Sequence, residues 1–160
     1  MGKEVKGQAK VGVAVEKLWK ALAVEPSSVL PRAVPNLIKS VEVLEGDGGL
    51  DTIMIFHFGP DLPPSMAYQK EKIVEYNEAE RQIGLEVIEG GRLVHGFNSY
   101  TTFFKLAGIG DGETLVDITV QYEKEGGEEV EEAALPSKTI ESTLLFLKYL
   151  EEYILKKSGD

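Results

Sequence analysis

From Ser40 to Tyr122 the chain passes through strand-like segments joined mostly by short turns, and one helix-periodic tail follows. That order constrains the fold more than any other feature. The segments are Ser40–Glu45, Thr52–Phe58, Ala67–Tyr76, Gln82–Ile88, Leu93–Leu106 and Thr114–Tyr122. The connections NEAE, Glu89-Gly90-Gly91 and GIGDGE are too short for crossovers, which argues for an antiparallel meander. The loop GPDLPPS, Gly59–Ser65, is rich in breakers. In the last strand Val116, Ile118, Val120 and Tyr122 form one apolar face.

The ends supply the helices. Residues 4–13 read as a first strand, and VEKLWKALAV after it puts Val15, Leu18, Trp19 and Leu22 on one helical face. Pro26 interrupts this helix, Ser27 or Ser28 is placed to cap a second short one, and Pro31 and Pro35 limit that. The tail EEVEEAALPSKTIESTLLFLKYLEEYILKK reads as one long helix, bent near Pro136. At 1.5 Å per residue it spans roughly 40 Å, enough to cross a whole sheet. Acidic residues crowd its start and Lys156 and Lys157 its end, as the helix dipole favours. Its apolar stripe runs Ile140, Leu144, Leu147, Leu150, Ile154, with Thr139, Thr143 and Phe146 near the same face. One long and two short helices fill a wide curved sheet incompletely, an arrangement compatible with an internal cavity.

Composition excludes several functions. The 160 residues suit one domain spanning 1–160, with 42% hydrophobic and 28% charged residues. A net charge of -10 without a basic cluster disfavours nucleic acid as a partner. No apolar run approaches the ~20 residues of a membrane span, so no membrane partner is expected. The start MGKEVKGQAK lacks a secretory apolar stretch, and Lys6 stands where a myristoylation motif wants Ser or Thr. With no cysteine, disulfides, thiolate metal sites and a cysteine nucleophile are absent, which fits a cytoplasmic location.

Three constellations bear on chemistry. LEGDGG, 44–49, lacks the lysine of a phosphate loop, carries Asp47 and is followed by a strand, so it reads as a hairpin turn using positive φ at glycine. His57 and His95 stand alone in separate strands, and no Gly-x-Ser-x-Gly elbow exists; neither a metal nor a catalytic residue is expected. In AYQKEKIVEY, alternation puts Gln69, Glu71 and Ile73 on one face and Tyr68, Lys70, Lys72 and Val74 on the other. If the Ile73 face looks inward, a carboxylate and an amide enter an apolar interior and need partners. A solvated edge strand fits the alternation equally well.

LEGDGG at 44–49 and IEGG at 88–91 resemble the hallmarks of the plant pathogenesis-related class-10 proteins, the major-pollen-allergen family. The resemblance covers essentially the whole chain. It implies an α+β helix-grip fold: a curved seven-stranded antiparallel sheet around a long C-terminal helix, with two short N-terminal helices and an internal cavity. VLPRAVPNLIKSVEVLEGDGG, YQKEKIVEYNEAERQIGLEVIEGG and SKTIESTLLFLKYLE resemble the cytokinin-specific, or phytohormone-binding, proteins of that family.

That likeness implies a small plant hormone as the partner, most simply a cytokinin such as trans-zeatin and secondarily a gibberellin, bound without conversion or cofactor. It matches Gln69 and Glu71 to inward ligand-binding residues and Thr143 to a contact on the long helix. Phe146 stands where close relatives carry a tyrosine, so one ligand hydrogen bond would be missing. Leu22 and Phe56 are wall candidates. Alternation adds Ile83, Leu85 and Val87, and Tyr100, Thr102 and Phe104 if the next strand keeps phase. Protein partners are not implied.

Norcoclaurine synthases on this fold also resemble the chain and share the glutamate matching Glu71. Where they use a tyrosine, a lysine and an aspartate, this sequence has Gln69, Ile83 and Thr102, and Ile83 transfers no protons. A general carrier of flavonoid-type amphipathic molecules is the other alternative.

Overall fold

The computed structural model describes residues 3–60, 67–91, 97–124 and 129–158, and the side chains within them except at 124–139, 142 and 158. Strands β1 (Lys3–Val11), β2 (Ile38–Glu45), β3 (Ile53–Phe58), β4 (Tyr68–Asn77), β5 (Gln82–Gly90), β6 (Phe97–Ile109) and β7 (Glu113–Lys124) form one sheet. Its order is β1-β7-β6-β5-β4-β3-β2, every pairing antiparallel. Helices α1 (Val15–Trp19) and α2 (Pro26–Ala33) separate β1 from β2, and α3 (Glu129–Ser158) ends the chain. This is the curved seven-stranded helix-grip architecture that the resemblance implies. Residues 61–66, which include most of the breaker-rich loop, and 92–96, which include the start of the Leu93–Leu106 segment and His95, lie outside the described residues.

The short helices depart from the sequence reading. VEKLWKALAV is not one α-helix: α1 passes into a π-helical turn at Lys20–Val24, closed by Glu25 N–H donating to Lys20 O at 2.8 Å. The wider turn adds Ala21 and Ala23 to a buried face that already holds Leu18, Trp19 and Leu22. Pro26 does not interrupt but starts α2 at its first position, where a missing N–H costs nothing. Glu25 takes the N-cap position instead of Ser27 or Ser28, with no side-chain cap bond, and Pro31 lies inside the helix.

The long helix runs through Pro136 without a break. Leu147, Leu150 and Ile154 are buried, but Leu144 is 36% exposed. At 100° per residue Leu144 points about 90° from their mean direction, which removes it from the expected stripe. The helix approaches β1 at Gly7, where an added Cβ would lie 2.7 Å from Ile140 Cγ2. Glu151 Oε2 accepts the Gly12 N–H at 2.7 Å, so a second point of α3 is fixed just after β1.

Two bulges set the phase of the sheet's centre. Lys70 opposes Glu89 while Glu71 opposes Val87, which makes Ile88 an extra residue. Ile73 opposes Leu85 while Glu75 opposes Gly84, which makes Val74 extra on the other strand. Both bulged residues are exposed. Beyond Val74 the phase reverses, so Tyr76 turns to meet Trp19, ring centroids 5.7 Å apart. Gly90 belongs to β5 opposite Gln69 rather than to a turn.

Candidate functional site

A cavity of about 550 Å3 is lined by residues of the sheet, the π-helical turn, α2 and α3. That volume lies within the range of small-molecule sites. β3 supplies Met54, Phe56 and Phe58 at alternate positions; β5 supplies Leu85; β6 supplies Tyr100, Thr102 and Phe104. Leu22 comes from the π-helical turn, Leu30 from α2, and Thr143, Leu145 and Phe146 from α3. Leu145 is 44% exposed, so the space reaches solvent along this turn of α3.

β4 brings the polar groups. Gln69 and Glu71 both line the cavity, and Gln69 is 8% exposed. The Gln69 Nε2 donates to Glu71 Oε2 at 2.6 Å, so each side chain answers part of the other's desolvation. Lys70 and Lys72, on the other face, pair with Glu89 at 3.4 Å and Asp51 at 3.7 Å. Tyr68 O–H donates to Glu89 Oε2 at 2.8 Å on that same face. This bond is the main cause that holds the Glu89 carboxyl below its ordinary value and raises the Tyr68 phenol. Burial raises the Tyr76 phenol.

All eight residues singled out from the sequence as a binding site line this one cavity: Leu22, Phe56, Gln69, Glu71, Leu85, Tyr100, Thr143 and Phe146. Ile83 and Val87 turn inward as alternation predicts but are taken up by the core, 1% and 5% exposed. Met54 and Phe58 were legible in the same alternation as Phe56, whereas Leu30 and Leu37 depend on how α2 lies over the sheet.

The glycine loop has a different part. Gly46 and Gly48 take φ of +93° and +104°. Gly48 N–H donates to Thr52 Oγ1 at 2.9 Å, and Asp51 N–H donates to Ile73 O at 2.8 Å. The loop thus spends donors on its own hydroxyl and on β4, and a strand follows it. His57 stands in β3 opposite Tyr68, and no group of three or more His, Cys, Asp or Glu able to hold a metal occurs among the described residues.

A sheet that grips a long helix around a cavity with one polar pair defines a small-ligand container. The chain belongs to the Pathogenesis-related protein Bet v 1 family, whose sequence profile matches residues 2–157. Members of this family are ligand-binding proteins. The chain is 30% identical to pathogenesis-related protein B of Petroselinum crispum over 152 residues, 92% of this chain and 94% of that one. Among solved structures, Ara h 8.0201 superposes with a TM-score of 0.79 at 22% identity, covering 98% of this chain and 99% of that one. The fold is also that of an enzyme: norcoclaurine synthase from Thalictrum flavum, in complex with dopamine and hydroxybenzaldehyde, gives a TM-score of 0.74 at 22% identity, covering 98% of this chain and 88% of that one. No helix among the described residues is long and apolar enough to cross a membrane.

Proposed function

We propose that the protein, as one domain over 1–160, binds a small plant hormone in this cavity and releases it unchanged. An adenine-type cytokinin such as trans-zeatin is the first choice and a gibberellin the second. The hydrogen-bonded Gln69–Glu71 pair on an otherwise largely apolar wall carries the reading. A carboxylate accepts purine N–H groups, and an amide both donates and accepts. Each charge-assisted bond is worth about 1.5–3 kcal/mol where water is excluded. The isoprenoid tail lies against Leu22, Phe56 and Leu85, with Thr143 and Tyr100 as hydroxyl contacts and Phe146 as an apolar one. A cytoplasmic reservoir, carrier or sensor fits a cysteine-free chain.

The shared fold with norcoclaurine synthase favours a second reading, catalysis at Glu71. Condensing an amine with an aldehyde needs several proton transfers, and at the matching positions this chain offers Gln69, Ile83 and Thr102. Parallel calorimetric titrations with trans-zeatin, gibberellic acid and a flavonoid test the proposal, repeated on Glu71→Ala. Submicromolar to low-micromolar hormone binding, weakened about 10- to 100-fold in the variant, is expected. Flavonoid binding tighter than hormone binding and indifferent to Glu71 would make the protein a general carrier. Product from dopamine and an aldehyde well above the buffer background would make it an enzyme.

A further inference from the structure

The Gln69 side chain lies against residue 91, and it has room there only because that residue is a glycine. Gly91 has φ +49°, and a Cβ built on it would lie 2.0 Å from Gln69 Oε1, 2.7 Å from Cδ and 2.8 Å from Cβ. The amide tip could swing aside from such a group, but the Gln69 Cβ is fixed to β4 and could not. Gly90, φ +72°, lies opposite Gln69 in the ladder, and its own added Cβ would meet Tyr68 O at 2.7 Å. Two successive left-handed glycines therefore fold the end of β5 against the amide. The oxygen of Gln69 faces Gly91 and its nitrogen faces Glu71.

We infer that Gly91 is a positioning residue of the cavity: it fixes the Gln69 amide with Nε2 toward Glu71, so that the site selects ligands with a polar edge over purely apolar ones. The edge that fits sets a hydrogen-bond donor for Glu71 beside an acceptor for Gln69 Nε2, as N9–H and N3 do on one edge of a purine. The selectivity half of this inference rests on the hormone-binding reading; the positioning half does not.

The test uses Gly91→Ala, with Gly110→Ala as control, since Gly110 also has positive φ (+65°) but nothing within 4 Å of an added Cβ. In Gly91→Ala the affinity for trans-zeatin should fall about 10- to 100-fold, while N-phenyl-1-naphthylamine, a neutral apolar probe, binds within about twofold of wild type. Gly110→Ala should change neither. Zeatin affinity within about twofold of wild type in Gly91→Ala overturns the inference, as does an equal loss for both ligands. Should Gly91→Ala not fold, Gly91→Ala/Gln69→Gly removes every atom of the clash and should fold with the probe bound and zeatin affinity still low; a double variant that also fails to fold overturns the inference. The Gln69 side-chain amide NMR signal, read without ligand, should be slow to exchange in wild type and in Gly110→Ala and fast in Gly91→Ala. If wild type binds no hormone, the function proposed above and the selectivity fall together, and this NMR comparison alone decides the positioning role.

Discussion

Replacing Gly7 by alanine tests how the long helix is seated. Gly7 is an ordinary strand position opposite Ile118, so alanine meets no left-handed backbone and gains slightly over glycine as a strand residue. The obstacle is steric: the new methyl would lie 2.7 Å from Ile140 Cγ2 and 3.1 Å from Cδ1, well inside van der Waals contact. Forcing one methyl into a packed seam costs typically about 1–3 kcal/mol. For a chain of this size, that lowers Tm by roughly 2–4 °C per kcal/mol, or about 2–12 °C. Ile140→Ala removes Cγ1, Cγ2 and Cδ1 together, the three atoms the new methyl would meet, so a double-mutant cycle isolates the contact. The half-buried Ile140 should cost stability when truncated alone, and much less when truncated beside Ala at position 7. A coupling of about 1–3 kcal/mol from urea midpoints is expected. Additivity within about 0.5 kcal/mol would refute the idea that this glycine exists to admit the helix.

Two further outcomes follow from the same geometry. In the glycine loop, Gly46→Ala should destabilise more than Gly48→Ala, although both have positive φ. An added Cβ at Gly46 would lie 2.8 Å from Thr52 Cα, whereas at Gly48 it meets nothing within 4 Å. The conformational penalty of about 1–2 kcal/mol is common to both, so equal urea midpoints would contradict the steric reading. For the Tyr68–Glu89 bond, the folded-state pKa of Glu89 is depressed, so its stabilising effect is present above the unfolded carboxyl pKa and lost as pH falls through the folded one. Tyr68, raised in the fold, loses its share as pH rises through the phenol range. Tyr68→Phe should therefore shift the urea midpoint at pH 7 and shift it less at pH 3; an unchanged difference between the two pH values would refute the linkage.

Much of the sheet was legible because alternation is a local property. Val116, Ile118, Val120 and Tyr122 are 0 to 4% exposed, as the period-two pattern requires. Two of the departures share one physical source, a local change of period that side-chain identity does not announce. The π-helical turn at Lys20–Val24 rotates the first helical face, and extra residues at Val74 and Ile88 reverse the phase of β4 and β5. Leu144 was misassigned because a broad stripe of leucines leaves its centre undefined until the helix rests on something. Alternation in AYQKEKIVEY left two orientations open, and burial of Ile73 at 1% against exposure of Val74 resolves them.

The wall of the cavity shows why a site can be harder to read than the fold that carries it. Volume is what remains after α2 and α3 settle on the sheet, and no segment encodes it alone. The polar pair is encoded locally at Gln69 and Glu71, but its geometry depends on Gly90 and Gly91 in the next strand. In the sequence those glycines look like a turn, because a turn is the commonest use of positive φ. In the fold they let a buried amide lie against backbone that any side chain would push away. A polar pair inside an apolar cavity is stable only when its atoms are partnered and held, since each unmet hydrogen bond there costs about 1–3 kcal/mol. Glu71 partners the Gln69 amide and Gly91 gives it room, so the polar end of the cavity keeps its shape before any ligand arrives.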